Sequence, residues 1–310
     1  MSKSAKKWLI AAASLVTIGV ILFAVVMTAY HWDFSRLSTD NFETNTYEIS
    51  EAFNDIKLNT DTADILFAAS SDNMCRVVCY EKENTKHSAR VQDGTLTISV
   101  VDDREWYEDI GFSFHSPKVT VYLPETEFSS IVIQASTGDI EIPNEIKVDS
   151  ADISLSTGDI RVNNMSVGTL TLSSSTGDII VSNVTCTDDI KASVTTGAVK
   201  IMDVTCQNLL STGSTSDIFL KNVTATETFS IERSTGDVVF DSSDAAEIFV
   251  KTSTGDVTGS LLTEKVFVAE TSTGNISVPK TTAGGKCEII TSTGNIKIEL
   301  SDGAMNEKVK

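Results

Sequence analysis

Positive charge is what this chain most lacks. Its 310 residues hold 24 Lys and Arg against 43 Asp and Glu, a net charge of −19. Nucleic-acid binders need a basic surface to release counterions, and no basic stripe compensates here, so DNA and RNA are excluded as partners. Histidine is scarce too: only His31, His87 and His115 occur, far apart. With no Gly-x-Ser-x-Gly, HExxH or Walker sequence, the usual equipment for hydrolysis, metalloprotease or nucleotide chemistry is missing. Cysteine numbers five, an odd count. Cys75 and Cys79 lie in MCRVVCY, which reads as a strand. Residues four apart there are about 13 Å apart, beyond the roughly 7 Å reach of a disulfide. CxxxC is also the wrong spacing for zinc and no His is near in sequence, so these two are expected to be buried small apolar residues. No metal or cofactor is expected.

Hydroxyls are abundant instead. Ser (37) and Thr (38) make up nearly a quarter of the chain, which favours strands over helices. With 41% apolar residues the acidity does not signal disorder. The long apolar run is WLIAAASLVTIGVILFAVVMTAY, Trp8 to Tyr30, preceded by Lys3, Lys6 and Lys7. A helix of this length reaches roughly 34 Å, enough to cross roughly 30 Å of hydrocarbon. Trp8 at one end and Tyr30, His31 and Trp32 at the other suit the two interfaces, and the lysines hold the N-terminus inside. A cleaved signal peptide is the competing reading, but the run is long and the best small-x-small pair, Met27 with Ala29, is poor. The expectation is a retained signal-anchor in the cell membrane, single-pass, N-terminus cytoplasmic, with the bulk extracellular.

Self-comparison is the most informative step. STGDI and its variants return with the turn residue at Gly138, Gly158, Gly177, Gly197, Ser216, Gly236, Gly255, Gly274 and Gly294, always nineteen or twenty residues apart. A period of this length without helical patterning marks one solenoid turn per copy. Within a copy, apolar and hydroxyl residues alternate on both sides of the corner. Inward pairs recur after it as Ile140/Ile142, Ile160/Val162, Ile179/Val181, Val199/Ile201, Ile218/Leu220, Val238/Phe240, Ile276/Val278 and Ile296/Ile298. Before it they recur as Ile131/Ile133, Ile153/Leu155, Leu170/Leu172, Phe229/Ile231, Ile248/Val250 and Val266/Val268. The fold class is therefore all-β: a right-handed parallel β-solenoid of about 19–20 residues per turn, with two short strands per turn, behind one N-terminal transmembrane helix. Successive copies are expected to stack in sequence order. Cys186 and Cys206 (NVTC, DVTC) then occupy equivalent places in adjacent turns and stack without the geometry of a disulfide.

The expected organisation is a cytoplasmic tail (1–7), the signal-anchor (8–30), a linker (31–44), a β-rich capping region (45–130), the solenoid (131–300) and a polar tail (301–310). DTADI at 61–65 reads as a degenerate copy of the corner within the capping region. The corner itself has a backbone explanation: Gly supplies φ > 0, and the following Asp accepts backbone N–H bonds. The structural candidates are thus Gly138, Asp139, Gly158, Asp159, Gly177, Asp178, Gly197, Asp217, Gly236, Asp237, Gly255, Asp256, Gly274, Asn275, Gly294 and Asn295, with a gap at Ala198. Stacked carboxylates repel by roughly 1 kcal/mol per pair even in water, so backbone amides, or alternatively weakly held divalent cations, must offset them. The Asn sequons at Asn164, Asn183, Asn222 and Asn275 follow from turn composition. A candidate interaction loop, DDREWYEDIGFSFH at 102–115, sets Trp106 and Tyr107 among carboxylates, as sugar or cation patches do; a solvated hairpin insertion is the plainer reading.

The signal-anchor, the VTVYLP strand before the first full repeat, and the iterated STGDI corners resemble the bacterial putative adhesin family. That family is a domain of unknown function that includes LiaG-like membrane-anchored β-repeat proteins. The likeness covers about residues 45–300 and brings no catalytic residues. It implies a membrane-tethered surface component, some relatives being associated with envelope stress. The function expected is a non-enzymatic structural or interaction module, adhesin-like, at the cell envelope. The alternatives are an accessory regulator or sensor of envelope-stress signalling, whose short tail would require a membrane partner, and, more remotely, a polysaccharide-active β-helix enzyme. Expected partners are the bilayer through residues 8–30 and either a membrane protein or a cell-wall or surface ligand.

Overall fold

A computed structural model describes residues 3–32, 41–102, 116–143 and 145–301. Among the described residues one helix, Lys3–Ala29, precedes strands alone. Its stretch Ala5–Ala29 is long and apolar enough to cross a membrane, and its most apolar 18 residues are not buried.

Residues Ile160–Thr176 show how one turn is built. Ile160, Val162, Met165, Val167, Leu170 and Leu172 point inward and are all buried. Alternation breaks between Val162 and Met165, again between Val167 and Leu170, and a third time at the Gly177 corner. Three bends give the coil three sides. The first bend is a single left-handed residue, Asn164 at φ 54°, repeated at Asn183, Asp203, Asn222 and Ser242. Asn and Asp tolerate this conformation because their short side chains bond locally. The two strands of a turn are separate where the second bend is sharp, as in Ile179–Cys186 and Asp189–Thr196, and run together elsewhere, as in Val199–Thr215.

Turns stack in parallel register, Ile160 beside Ile179, Ile179 beside Val199, Val199 beside Ile218. The column from Ile65 through Ile140 and Ile160 to Val257 and Ile296 is Ile or Val at every level and at most 1% exposed. Branched side chains fit a pleated wall, and each fully buried one contributes about 1.5–3 kcal/mol. Where Phe240 needs more room, stacked on Phe229 at 6.3 Å, the next turn supplies Gly259. Val266 and Val268 break the expected pattern: they are 41% and 48% exposed and stand beside Lys286 and Glu288, while Phe267 and Ala269 lie beside inward Cys287 and Ile289. Register is measured back from the corner. Inward positions fall seven and five residues before the glycine, as Leu170 and Leu172 do before Gly177, and that rule selects Phe267 and Ala269 before Gly274.

The stacking order departs from the sequence order at both ends. Strand Gly285–Thr293 lies between Val238–Thr254 and Lys265–Thr273, and Ile296–Leu300 lies between Val257–Leu261 and Ile276–Ser277. The Gly294 turn is therefore inserted between the Gly255 and Gly274 turns. At the other end, Asp55–Thr62 lies between Thr95–Asp102 and Glu127–Thr137, with Asp64–Ala69 between Lys118–Leu123 and Ile140–Ile142. The DTADI corner is thus a true level of the ladder. Antiparallel strands Phe42–Ile49 and Cys75–Lys82 close this end, the latter pairing on to Lys118–Leu123.

A buried ion pair fixes the inserted turn. Lys265 Nζ reaches Asp244 Oδ1 at 2.7 Å, and both side chains are under a tenth exposed. Lys265 belongs to the outermost turn and Asp244 to the level two below it, with Gly285 between them; a Cβ on Gly285 would meet the Ala246 carbonyl oxygen at 1.7 Å. Lys265→Ala is expected to cost about 3–5 kcal/mol in urea denaturation, because it strands a buried carboxylate. Adding Asp244→Ala should recover much of that loss. Fully additive losses would contradict the pairing.

Candidate functional site

The corner is where the repeat concentrates its chemistry. Gly138, Gly158, Gly177, Gly197, Gly236, Gly255, Gly274 and Gly294 all have φ between 125° and 153°. A Cβ on Gly158 or Gly177 would sit 2.0 Å from the carbonyl oxygen of the corner below. Both the backbone conformation and the stacking distance demand glycine. Three hydrogen-bond ladders then join the corners. The Gly177 N–H donates to Thr196 O at 3.0 Å, and the Ile179 N–H donates to Ala198 O at 2.9 Å. The third ladder runs through the acids: Asp139 Oδ1 accepts the Asp159 N–H at 2.9 Å, Asp159 Oδ1 that of Asp178 at 2.8 Å, and Asp178 Oδ1 that of Ala198 at 2.8 Å. It resumes from Asp217 to Asp237 and from Asp237 to Asp256, then passes to Asn295 and last to Asn275, tracing the permuted order of the end. Asp64 begins it by accepting the Asp139 N–H.

Each carboxylate is thus held by an amide, which answers the repulsion expected of stacked acids. Cations help at one end of the ladder: Arg161 bridges Asp139 and Asp159, and Lys200 lies 3.1 Å from Asp178. Partial burial is the largest single influence on Asp178 and pushes its pKa up, but the Ala198 amide, Lys200 and Arg161 together outweigh it, and the carboxyl titrates below the ordinary aspartate range.

Two neighbouring turns depart from the pattern. Ala198 has no acceptor to offer the next corner, and Ser216, which replaces glycine, does not adopt positive φ. The corner changes turn type there. Inside the same level Ser211 and Gly213 stand where the preceding turn has Ala192 and Val194, and Arg233 of the following turn fills the space. Arg233 is 4% exposed; its guanidinium donates to Ser211 Oγ at 2.8 Å and Glu232 O at 2.8 Å, and burial lowers its pKa to about 10. Above it lies a shallow depression of about 360 Å³, lined by Ser193, Thr212, Ser214, Lys251 and Ser253 among others.

The closed end holds a different polar group. His87 Nδ1 lies 2.7 Å from Glu81 Oε2, and its Nε2 lies 2.9 Å from Thr60 Oγ1. Glu81 also accepts from the His87 N–H at 2.6 Å and from Asn45 Nδ2 at 2.8 Å, and Tyr47 OH donates to His87 O. Thr60, Glu81 and His87 are 2%, 0% and 3% exposed. The order hydroxyl, imidazole, carboxylate resembles a hydrolytic relay, but burial leaves a substrate no approach to Thr60. Cys79 completes the group, its sulfur within 4.8 Å of ligand atoms of Glu81 and His87. All five cysteines are free and buried. Burial holds Cys75, Cys79, Cys206 and Cys287 up at about 12 and Cys186 at about 11, far from nucleophilic.

The sequence profile of the family Toastrack DUF4097 matches residues 53–209 and again 185–310. The chain belongs to the Toastrack family. Two solved structures share the Toastrack fold of this chain. One, described as a putative adhesin from Parabacteroides merdae, is 13% identical, covers 84% of this chain and 98% of its own, and has a TM-score of 0.51. A second putative adhesin, from Parabacteroides distasonis, is 14% identical with the same coverage and a TM-score of 0.50. Among proteins of curated function, none matches.

The Toastrack solenoid brings the corner residues named from the sequence into one continuous line. Trp106 and Tyr107 lie outside the described residues, as does most of the 102–115 loop around them. Sequence reasoning passed over two features. Asn164, Asn183 and Asn222 are left-handed bend residues, betrayed by the corner's own period, and His87 meets Cys79 although nothing in their spacing announces it. For the ladder, Asp178→Asn should cost less than about 1 kcal/mol at neutral pH, since the amide oxygen still accepts the Ala198 N–H and only the exposed ion pair with Lys200 is lost. Asp178→Ala should cost about 1–3 kcal/mol in urea denaturation, because it leaves that donor unpaired. A depressed carboxylate contributes stability that is present above its unfolded pKa and lost as pH falls through the folded one. The Asn variant should therefore lose less stability on acidification than the parent; identical acid profiles would contradict the assignment.

Proposed function

We propose that this chain is a non-enzymatic interaction module of the cell envelope, held in the bilayer by its N-terminal helix and binding a wall or surface ligand through an acidic solenoid outside. The observation that carries this reading is the state of the last turn. Among the described residues, strand Lys265–Thr273 pairs on one edge only, with Gly285–Thr293. Beside that open edge Leu262, Val266, Val268 and Ile276 are 38–48% exposed; Ile276 holds the column position that is buried at Ile296 and Val257, and Val266 and Val268 are outward positions that carry Lys286 and Glu288 in the adjoining turn. An unpaired strand edge with apolar side chains is a surface that recruits partners. The reactive groups, by contrast, are buried. The description of two relatives as putative adhesins agrees with binding as the activity. The three lysines in the first turns of the helix, ahead of its apolar run, favour a cytoplasmic N-terminus.

The test is retention of the full-length protein, in lipid vesicles, on purified cell-wall fragments and on whole cells. The double variant Val266→Ser with Val268→Ser changes only outward positions and should lower retention at least tenfold while leaving the melting temperature within a few degrees. Unchanged retention would overturn the assignment of the end turn. Recovery of an integral-membrane partner from cross-linked membranes, with no retention on wall or cells, would favour the accessory-regulator reading.

A further inference from the structure

We propose that Cys79, Glu81 and His87 form a binding site for a single transition-metal ion of the zinc type at the closed end of the solenoid. Sulfur, carboxylate oxygen and imidazole nitrogen are the three donor types that zinc takes from proteins. Their ligand atoms lie within 4.8 Å of one another, and all three residues are buried. At bond lengths of about 2.0–2.3 Å the ligand atoms of a tetrahedral ion stand about 3.4–3.7 Å apart, so closing on the ion requires side-chain shifts of about 1 Å.

Charge supports the same conclusion. A thiolate, a carboxylate and a neutral imidazole carry two negative charges, and a divalent ion cancels them, which is the condition for placing ions in an interior. The groups around the site are arranged for it. Where Nε2 carries the proton, Thr60 Oγ1 at 2.9 Å accepts that N–H and the lone pair of Nδ1 faces Glu81 and Cys79. A metal-bound histidine is oriented by this kind of outer hydrogen bond. Without the ion, a proton between Nδ1 and Glu81 Oε2 accounts for their 2.7 Å approach; the metal takes that place as the proton moves to Nε2. Asn45 steadies the other oxygen of Glu81 at 2.8 Å. Val77, two residues before Cys79 on the same strand, and Val119, paired with Cys79, are apolar and fully buried. The three ligands come from two strands, Cys75–Lys82 and Thr85–Gln92, and Thr60 from a third, Asp55–Thr62. An ion here joins the antiparallel cap to the first parallel level. Binding releases the Cys79 proton to solvent, and no redox partner is needed.

The test uses the full-length protein in detergent micelles, stripped with a chelator and titrated with Zn²⁺, and separately with Co²⁺. One ion per chain by elemental analysis, a thiolate-to-cobalt absorption band, and a melting temperature higher in zinc than in chelator are expected. Cys79→Ala and His87→Ala should each lower affinity at least tenfold, while Cys75→Ala and Cys287→Ala leave the band intact. Absence of a thiolate band in the unmutated protein, or a band that survives Cys79→Ala, would overturn the site. The first of these outcomes needs no variant to fold.

Discussion

The closeness with which one corner can approach the next governs the whole solenoid. Parallel strands in adjacent turns must hold the hydrogen-bonding distance of about 4.8 Å all the way round, including at the bend, where side chains would force them apart. Glycine at φ above 120° removes the obstacle, leaving the carbonyl oxygen of one corner where the next corner's Cβ would have been. Because the corners touch, the backbone groups that a turn normally leaves to water are satisfied by the neighbouring turn instead. The acid after the glycine uses its carboxylate for the same purpose, so a line of like charges becomes a line of caps.

Departures from this constraint occur together. Ala198 interrupts the acid ladder, Ser216 abandons the glycine conformation one turn later, and Ser211, Gly213 and Arg233 replace an aliphatic interior at the same height. A corner that is not glycine changes the path of the chain, and the space it alters must be refilled; here an arginine does so over a glycine. The ends are the other departure. Both exchange the order of two turns, and a buried Asp244–Lys265 pair joins the levels on either side of the inserted one. Removing the outermost level therefore exposes a charge as well as apolar surface, which couples the last turns more tightly than simple stacking would.

The regular part of this architecture is legible in the sequence because the period, the corner and the inward Ile and Val positions all repeat. The exchanged ends are not legible, since the Gly274 and Gly294 copies have the same STGN residues and either could stack on Gly255. What decides between them is long-range: the bare Gly285 that lets Lys265 through to Asp244. Counting from the corner would have put Phe267 rather than Val268 inward, so that part was readable from the offset. Asn164, Asn183, Asp203 and Asn222 share the corner's spacing, but in a chain rich in Asn, Ser and Thr they pass for composition. The Cys79, Glu81 and His87 group is invisible to spacing rules, because Glu81 and His87 lie on strands that diverge after Lys82 and Thr85 and meet again only through the interior.

Amide hydrogen exchange at the corners tests the central claim most directly. The N–H groups of Asp159, Asp178, Asp237 and Asp256 each donate to the acid of the corner below, whereas that of Asp217 faces Ala198, which has no side-chain oxygen. If the acid ladder holds the turns together as described, Asp217 exchanges much faster than those four, and replacing Ala198 with Asp slows it to their level. Uniform exchange at all five positions, unmoved by that replacement, would mean the carboxylates are not what caps the corners.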